Sequence, residues 1–237
     1  MTPNELCTAH TAAFLADALR GRHRVLEVGC GDGAVARALG SAGFAVTALD
    51  IELRDPRPAS NVTFVERDFL AFTAEPFEAI VFTSSLHHIE ALEDAIAHAV
   101  DLLVLDGLLV ADEFDVERPD VTTLQWYYDT QELLAAAGVY QHEHVDKPNR
   151  DLLARWRAAH AHDPPLHTGV AMRSAIASQL SIVEISACEY LHRHMCSGLR
   201  PDHHGGAVAA HVLATEQRRI ADGTLAAVGL RIIASRS

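Results

Sequence analysis

The 237-residue sequence lacks several features that would point to particular classes of protein. It contains a single lysine, Lys147, so a mechanism that needs a catalytic lysine has one candidate. Its four cysteines include no CxxC pair, which is not the pattern of a disulfide framework and fits a reducing cytoplasm. No apolar run approaches the roughly 18 to 20 residues that cross a bilayer, and residues 1–20 do not resemble a signal peptide. We therefore expect a cytoplasmic protein without a membrane span.

Acidic residues dominate the charge balance. There are 32 Asp and Glu against 19 Lys and Arg, a formal net charge of −13. Such a surface repels nucleic acid and anionic membranes unless a local basic patch intervenes. Hydrophobic residues make up 49% of the chain, which is enough to bury a sizeable core. The composition therefore disfavours nucleic acid and membrane as partners.

Strand-like and helical segments alternate along the chain. The sequence predicts strands at 24–28, 44–49, 61–65, 77–82, 107–111, 181–188 and 225–234. It predicts helices at 2–19, 34–39, 90–103, 151–161, 169–180 and 206–221. This alternation predicts an α/β, Rossmann-like fold: a doubly wound, seven-stranded, mostly parallel sheet with helices on both faces. The ligand crevice of such a sheet lies at the carboxyl ends of its strands.

The strongest motif is a glycine-rich turn at residues 29–33, directly after the first predicted strand. Glycines let the backbone approach a ligand that a Cβ would push away, so the turn implies a nucleotide-like cofactor. The glycines alone do not identify the cofactor. The spacing of Gly29, Gly31 and Ala34 also satisfies a relaxed dinucleotide-binding fingerprint.

Other motifs follow the glycine turn in a characteristic order. Glu27 lies inside the first strand, Asp50 at the tip of the second, and Asp68 with Phe69 after the third. The fourth strand runs into Thr-Ser-Ser-Leu-His-His-Ile at residues 83–89. Over residues 24–114 this combination resembles the class I S-adenosylmethionine-dependent methyltransferases, particularly those acting on small molecules.

The resemblance implies a cofactor-binding set for S-adenosylmethionine and its product S-adenosylhomocysteine. Its members are Glu27, Gly29, Cys30, Gly31, Asp50, Ile51, Asp68, Phe69, Thr83 and Ser84. Glu27 would orient the ammonium group, Asp50 would accept both ribose hydroxyls, and Asp68 would accept from the adenine amino group. Phe69 or its neighbours would pack against the ring, and the hydroxyl residues after the fourth strand would lie near the transferring methyl. Taken singly, these residues could instead be an arginine partner, solvated strand-end acids and a core aromatic.

His87 and His88 are the candidate catalytic residues. A base near neutral pKa assists transfer to a hydroxyl or a protonated amine, and histidine suits that task. The alternative is that the pair caps the helix predicted to begin near Glu90 or shapes the pocket.

The remaining chain is predicted to serve the methyl acceptor. We expect a single domain over residues 1–237, with an N-terminal lid helix within 1–20, a cofactor-binding half at 22–115 and an acceptor-side lid insertion at 139–180. The segments 112–115 and 126–128 are expected to line the acceptor side. The alternative for these two segments is a solvated acidic turn and an ordinary amphipathic helix. A monomer or a homodimer is expected.

Fifteen histidines raise the question of a metal site. Spaced candidates are His142 and His144, His160, His162 and His167, His192 and His194, and His203 and His204. No cysteine pair or HExxH motif accompanies them, so surface histidines are the preferred interpretation. Metal-dependent catechol-type methyltransferases carry an aspartate where this chain has Thr83 and Ser84. We therefore expect no metal.

The predicted function is in-line transfer of a methyl group to an oxygen, nitrogen or carbon of a small organic metabolite. The Asn/Asp-Pro-Pro-aromatic motif and the Lys-Asp-Lys-Glu tetrad of other methyltransferase groups are missing, which leaves a small-molecule acceptor. One alternative is a nicotinamide-dependent oxidoreductase. Such an enzyme would hold a pyrophosphate at the helix N-terminus after the turn, and Asp32 beside that terminus disfavours an anion. Glu143 stands where a Tyr-x-x-x-Lys pair would need tyrosine. The other alternative is a non-catalytic module that binds S-adenosylmethionine.

Overall fold

A computed structural model describes residues 1–141 and 151–237. The candidates His142, His144 and Lys147 lie outside the described residues. By its contacts the chain divides into two compact units. The helical unit comprises Met1–Cys7, Asp115–Leu166 and Ala187–Gly229, and the sheet unit comprises Thr8–Phe114, His167–Ser186 and Leu230–Ser237.

The described residues form seven strands in one sheet. In chain order these are β1 Arg24–Val28, β2 Ala45–Asp50, β3 Val62–Glu66, β4 Phe77–Thr83, β5 Leu103–Phe114, β6 Ser181–Cys188 and β7 Gly229–Ser235. Their spatial order is β3-β2-β1-β4-β5-β7-β6, and the pairs β1–β2, β2–β3, β1–β4 and β4–β5 are parallel. β7 runs opposite to β5, because Asp106 N–H donates to Arg236 O while Asp115 N–H donates to Val228 O. The predicted seven-stranded, mostly parallel α/β sheet is confirmed.

Eight α-helices accompany these strands in the described ranges. They are α1 Pro3–Ala18, α2 Ala34–Ser41, α3 Leu92–Leu102, α4 Val121–Ala136, α5 Leu152–Ala159, α6 Gly169–Gln179, α7 Leu191–Cys196 and α8 His203–Ala221. Side-chain caps fix several starts: Asp120, Thr168 and Asp202 each accept from the backbone N–H three residues later. In the described part of the chain, no helix combines the length and apolar character needed to cross a membrane.

The fifth strand is longer than predicted. The sequence predicted 107–111, whereas β5 runs over Leu103–Phe114. Its register with β4 shifts by a bulge, and Asp106 adopts a positive φ of 60° there. Asp106 and Gly107 thus form an irregularity inside one strand.

The last strand is shorter than predicted. Its expected start at residue 225 is wrong, because β7 begins at Gly229. Leu225 N–H donates to Arg219 O, and Ala226 N–H donates to Thr123 Oγ1. These backbone groups therefore hydrogen-bond to helices instead of a strand ladder.

The sheet unit has a hydrophobic core on each face of its sheet. Along β4, Ile80 and Phe82 join one buried cluster, while Ala79 and Val81 join the other. Residues of α3 and α6 complete the first cluster, and residues of α1 and α2 complete the second. Burial on both faces is typical of parallel sheets in α/β folds. This packing fixes the carboxyl ends of the central strands, where the candidate site lies.

Candidate functional site

The glycine turn after β1 packs closely at Gly29 and has open space beside it at Gly31. Gly29 has a φ of +75°, and a Cβ there would come within 2.4 Å of Ser85 Cβ. Only glycine fits that position. Gly31 also has a positive φ, +57°, but an added Cβ would meet nothing within 4 Å. The turn therefore leaves open space at Gly31, where a ligand can approach the backbone.

Asp50, the last residue of β2, holds this turn in place. Its Oδ2 accepts from the Gly31 N–H at 2.7 Å, and its Oδ1 accepts from the Glu52 N–H at 3.2 Å. Each carboxylate oxygen retains capacity for a further hydrogen bond. Asp50 can thus organise the turn and bind a ligand hydroxyl with the same carboxylate.

A cavity of about 500 Å³ lies in the sheet unit beside these residues. Its volume is within the roughly 300–1,000 Å³ typical of small-molecule sites. Its walls include six of the predicted site residues: Gly29, Asp50, Ile51, Asp68, Phe69 and His88. The other predicted site residues, which do not line it, are Glu27, Cys30, Gly31, Thr83, Ser84 and His87. Sequence reasoning missed the remaining walls, which are Val28, Leu49, Arg67, Leu70, Ser85, Ile89, Glu90 and Ala91.

Asp68 and Phe69 form one wall of this cavity. Asp68 caps a short 3-10 turn by accepting from the Leu70 N–H at 2.7 Å. The Phe69 ring is 8% exposed and packs edge-on against Phe82 and His98, with centroid distances of 5.8 and 5.0 Å. Phe69 is therefore both a core aromatic and part of the cavity wall.

Glu27 is a buried carboxyl group, and only one of its two oxygens has a hydrogen-bond partner among the described residues. It is 1% exposed, and its Oε1 accepts from Thr83 Oγ1 at 3.1 Å. Its Oε2 has no hydrogen-bond partner among the described residues. The pKa of Glu27 is raised to about 8, mainly by burial. The nearby Asp32 and Asp50 carboxylates contribute to the increase, while the hydrogen bond with Thr83 lowers the pKa. A cationic ligand group at this oxygen would favour the ionised carboxylate and lower its pKa again, so the buried carboxyl fits such a group.

Replacing Glu27 with glutamine is expected to change how stability depends on pH. Because the pKa of Glu27 is about 8 in the folded state against an ordinary 4.5, the folded protein holds a proton that the unfolded chain releases. The free energy of unfolding should fall as the pH rises from 4.5 towards 8, by up to about 1.4 kcal/mol per pH unit. Urea unfolding should show this decline in the wild-type protein and its loss in Glu27→Gln. The exposed Glu75 supplies the control, since Glu75→Gln should keep the decline; an undiminished decline in Glu27→Gln would contradict the argument.

The remaining predicted cofactor residues lie around the ends of β1 and β4. Burial raises the pKa of the Cys30 thiol to about 12, with the Glu27 and Asp50 carboxylates adding to the effect, so the thiol stays neutral. Ser84 adopts a positive φ of 56°, and its N–H donates to Asp112 O at 3.0 Å. This backbone bond fixes the direction in which the chain leaves β4.

The turn that follows contains a buried histidine–carboxylate pair. His87 Nδ1 lies 2.5 Å from Glu113 Oε2, and the two side chains are 4% and 1% exposed. Glu113 Oε1 also accepts from the N–H groups of Ser85 and Leu86, at 2.9 and 2.8 Å. Since an ionised carboxylate only accepts, Nδ1 carries the proton and Nε2 of a neutral ring is left as an acceptor. The sequence placed Glu113 only within the segment 112–115 expected to line the acceptor side, and its bond to His87 near the end of β5 was not predicted.

Two alternatives from the sequence are wrong at this turn. The histidine pair does not cap the next helix, because α3 begins at Leu92 without a side-chain cap. The acidic segment after residue 111 is not solvated, since Asp112 and Glu113 are 0% and 1% exposed. Asp112 instead accepts from Arg231 Nε at 3.0 Å. These carboxylates are buried because each has a partner.

In the helical unit, the predicted acceptor-side aromatics pack largely among themselves. Tyr127 and Tyr128 on α4 are buried, and Tyr127 packs edge-on against Trp156 at 5.9 Å. Arg155 lies over the Tyr128 ring at 3.8 Å. Burial raises the pKa of Tyr127 well above its usual range. Their role towards a methyl acceptor stays a prediction, as does the lid role of the segments assigned to it.

Among residues 1–141 and 151–237, no three His, Cys, Asp or Glu side chains are grouped so as to hold a metal ion. His160 and His194 contact each other, with ring centroids 5.3 Å apart, and both also contact Trp156. These two histidines therefore belong to the aromatic packing of the helical unit.

Comparison with known proteins relates this chain to methyl transfer. A family model described as "Methyltransferase domain" matches residues 3–160. No curated protein matches the chain.

Solved structures share the fold at low sequence identity. The N-methyltransferase NodS from Bradyrhizobium japonicum WM9 has 16% identity and a TM-score of 0.52, with 96% of this chain and 95% of that chain covered. Magnesium protoporphyrin IX methyltransferase from Synechocystis PCC 6803 has 15% identity and a TM-score of 0.53, covering 99% and 84%. Geranyl diphosphate C-methyltransferase from Streptomyces coelicolor A3(2) has 14% identity and a TM-score of 0.57, covering 97% and 79%. At these identities the likeness concerns the fold.

Proposed function

Because this chain belongs to the methyltransferase domain family and is a class I S-adenosylmethionine-dependent enzyme, we propose that its acceptor is a small organic molecule and that its cofactor lies in the cavity beside Asp50. The observation that carries the proposal is the position of the Asp50 carboxylate. It lines the cavity and also accepts from Gly31 in the glycine turn. One residue thus joins the glycine turn to the ligand space.

The chain's own residues suit the parts of this cofactor. The free capacity of Asp50 matches a pair of ribose hydroxyls, and Asp68 at the same cavity matches the adenine amino group. Phe69 supplies an apolar wall for the ring. The buried Glu27 oxygen without a partner matches a cationic amino group. When bound, S-adenosylmethionine supplies a methyl group made electrophilic by its sulfonium.

The protein's share of the reaction is alignment of the acceptor, exclusion of water and, for some acceptors, proton removal. Well-oriented reactants can gain about 7 to 11 kcal/mol from positioning alone. For a hydroxyl or ammonium acceptor, we assign the base to His87, whose Nδ1 donates to Glu113 and whose Nε2 would take the proton. Glu113 acts through His87 by fixing the tautomer and the turn. His88, which lines the cavity, would contact the ligand without this support.

The atom that receives the methyl group is a separate question. The structural neighbours include an N-methyltransferase and a C-methyltransferase, so this fold accommodates both kinds of transfer. A buried imidazole–carboxylate pair is useful only where the acceptor must lose a proton. We therefore favour an acceptor with a hydroxyl or a protonated amine.

A matched pair of glycine variants tests the cofactor position. Gly31 and Gly21 both have positive φ, +57° and +79°, and an added Cβ meets nothing within 4 Å at either position. Alanine should cost similar backbone strain at both, about 1–2 kcal/mol. Gly31 donates its N–H to Asp50 beside the cavity assigned to the cofactor, whereas Gly21 lies outside the glycine turn. Calorimetric titration with S-adenosylhomocysteine should give an affinity at least about tenfold weaker for Gly31→Ala and unchanged for Gly21→Ala. Equal affinities, or no binding to the wild-type protein at millimolar concentration, would refute the proposed site.

A further inference from the structure

Two cysteines far apart in the sequence lie together in the helical unit. Cys7 is in α1 and Cys196 is the last residue of α7. Their sulfur atoms are 2.9 Å apart, and both thiols are free. A disulfide bond needs about 2.05 Å between the sulfurs, so closure requires an approach of less than about 1 Å.

Packing around the pair holds the two sulfurs close. Cys196 belongs to a buried apolar cluster with Leu199 and Ala209, and Cys7 packs against that cluster together with Leu6. The two thiols are therefore neighbours because of the core of this unit. The sulfurs themselves need only a short approach to bond, because they already lie 2.9 Å apart.

Cys7 is the more exposed sulfur of the pair, and Cys196, although 4% exposed, lies at a cavity wall. Cys196 lines a cavity of about 530 Å³ within the helical unit, whose other walls include Thr2, Tyr140 and Ser197. Cys7 is half-buried. Cys30 in the sheet unit differs, because burial raises the pKa of its thiol to about 12 and keeps it protonated. Reactive cysteines combine access with thiolate character, so the pair is the better candidate for oxidation.

The two sulfurs differ in exposure and in electrostatic surroundings. The hydrogen bond between the two sulfurs lowers the pKa of Cys7, and the positive charge of Arg193 lowers it further, while burial and Glu216 oppose them. The same hydrogen bond and burial raise the pKa of Cys196. Because Cys7 is half-buried whereas Cys196 is 4% exposed, Cys7 is the sulfur that meets a peroxide first and attacks it, and Cys196 attacks in the second step.

We propose that Cys7 and Cys196 form an oxidisable dithiol site that closes to a disulfide when the protein meets a hydroperoxide. In the first step the Cys7 thiolate attacks a peroxide oxygen, so an S–O bond forms, the O–O bond breaks and hydroxide leaves. In the second step the Cys196 sulfur attacks the Cys7 sulfur; the S–S bond forms, the S–O bond breaks, and the departing hydroxide takes up the Cys196 proton. The sum for hydrogen peroxide is two thiols and one peroxide giving one disulfide and two waters. The proposal is independent of the cofactor cavity.

Treatment of the full chain with hydrogen peroxide, followed by non-reducing peptide mass spectrometry, tests the proposal. We expect one cross-linked peptide joining Cys7 to Cys196, with the loss of two hydrogen atoms, reversed by dithiothreitol. Because the bond closes a long loop, the melting temperature should rise by about 5 °C or more on oxidation. Cys7→Ser and Cys196→Ser should show neither effect, whereas Cys188→Ser, which keeps the pair, should show both.

Several results would overturn the proposal. They are an unreacted pair at peroxide concentrations that oxidise free cysteine, a Cys7 sulfinic acid without a cross-link, and a cross-link through Cys30 or Cys188. Each can be seen in the wild-type digest, so the test does not depend on the folding of a variant.

Discussion

Replacing Asp50 with alanine is expected to weaken S-adenosylhomocysteine binding by about 100-fold or more. The change removes a charged acceptor from two ligand hydroxyls, and hydrogen bonds to charged groups are worth about 1.5–3 kcal/mol each. It also removes the bond from Gly31 N–H at 2.7 Å, so the glycine turn loses its attachment to β2. Both losses act in the same direction. Calorimetric titration of the two proteins with the same ligand measures the difference.

Two further variants separate these contributions. Asp101→Ala removes an exposed carboxylate on α3 and should leave the affinity unchanged. Asp50→Asn keeps one acceptor oxygen and should fall between the wild type and Asp50→Ala. An affinity for Asp50→Ala within about twofold of the wild type would mean that the ribose lies elsewhere.

Replacing His87 with alanine is expected to lower kcat by about 10²- to 10⁴-fold, the usual contribution of a general base. The affinity for S-adenosylhomocysteine should change little, because His87 does not line the cavity. Glu113→Gln should also lower kcat, but by a smaller factor. Glu113 Oε2 now lies 2.5 Å from His87 Nδ1, and a glutamine side chain retains an oxygen that can accept from that nitrogen. Methyl transfer to a panel of phenols and amines measures these rates.

The second histidine and a surface histidine serve as controls for this prediction. His211→Ala, on the exposed side of α8, should have wild-type activity. His88→Ala should alter ligand affinity, because His88 lines the cavity. If His88→Ala lost kcat while His87→Ala kept it, the base would be the histidine in the cavity wall.

Local signals in the sequence predicted much of the site. The glycine turn and Asp50 follow strands that are recognisable from short apolar runs, and parallel strands bring their carboxyl ends together. The structure accordingly gives Gly29 and Asp50 a common cavity. The second task of Asp50, accepting from Gly31, depends on the backbone path of the turn, which residue types alone do not specify.

Tertiary pairing explains what the sequence did not predict. The segment 112–115 carries three acids, a composition that usually indicates a solvated turn. The register of β4 with β5 sets Thr83 opposite Asp112, which brings Glu113 to the N–H groups of Ser85 and Leu86. Local sequence patterns do not predict that register, because it depends on a bulge inside β5. Local patterns do not predict the Cys7–Cys196 contact either, because 189 positions of sequence separate the two residues.

A crystal structure of the protein grown with S-adenosylhomocysteine tests the central claim most directly. We expect the ribose hydroxyls at Asp50, the adenine between Asp68 and Phe69, and the amino group at the buried oxygen of Glu27 that now has no partner among the described residues. Ligand density at a different place on the protein, with water alone beside Asp50, would contradict the account.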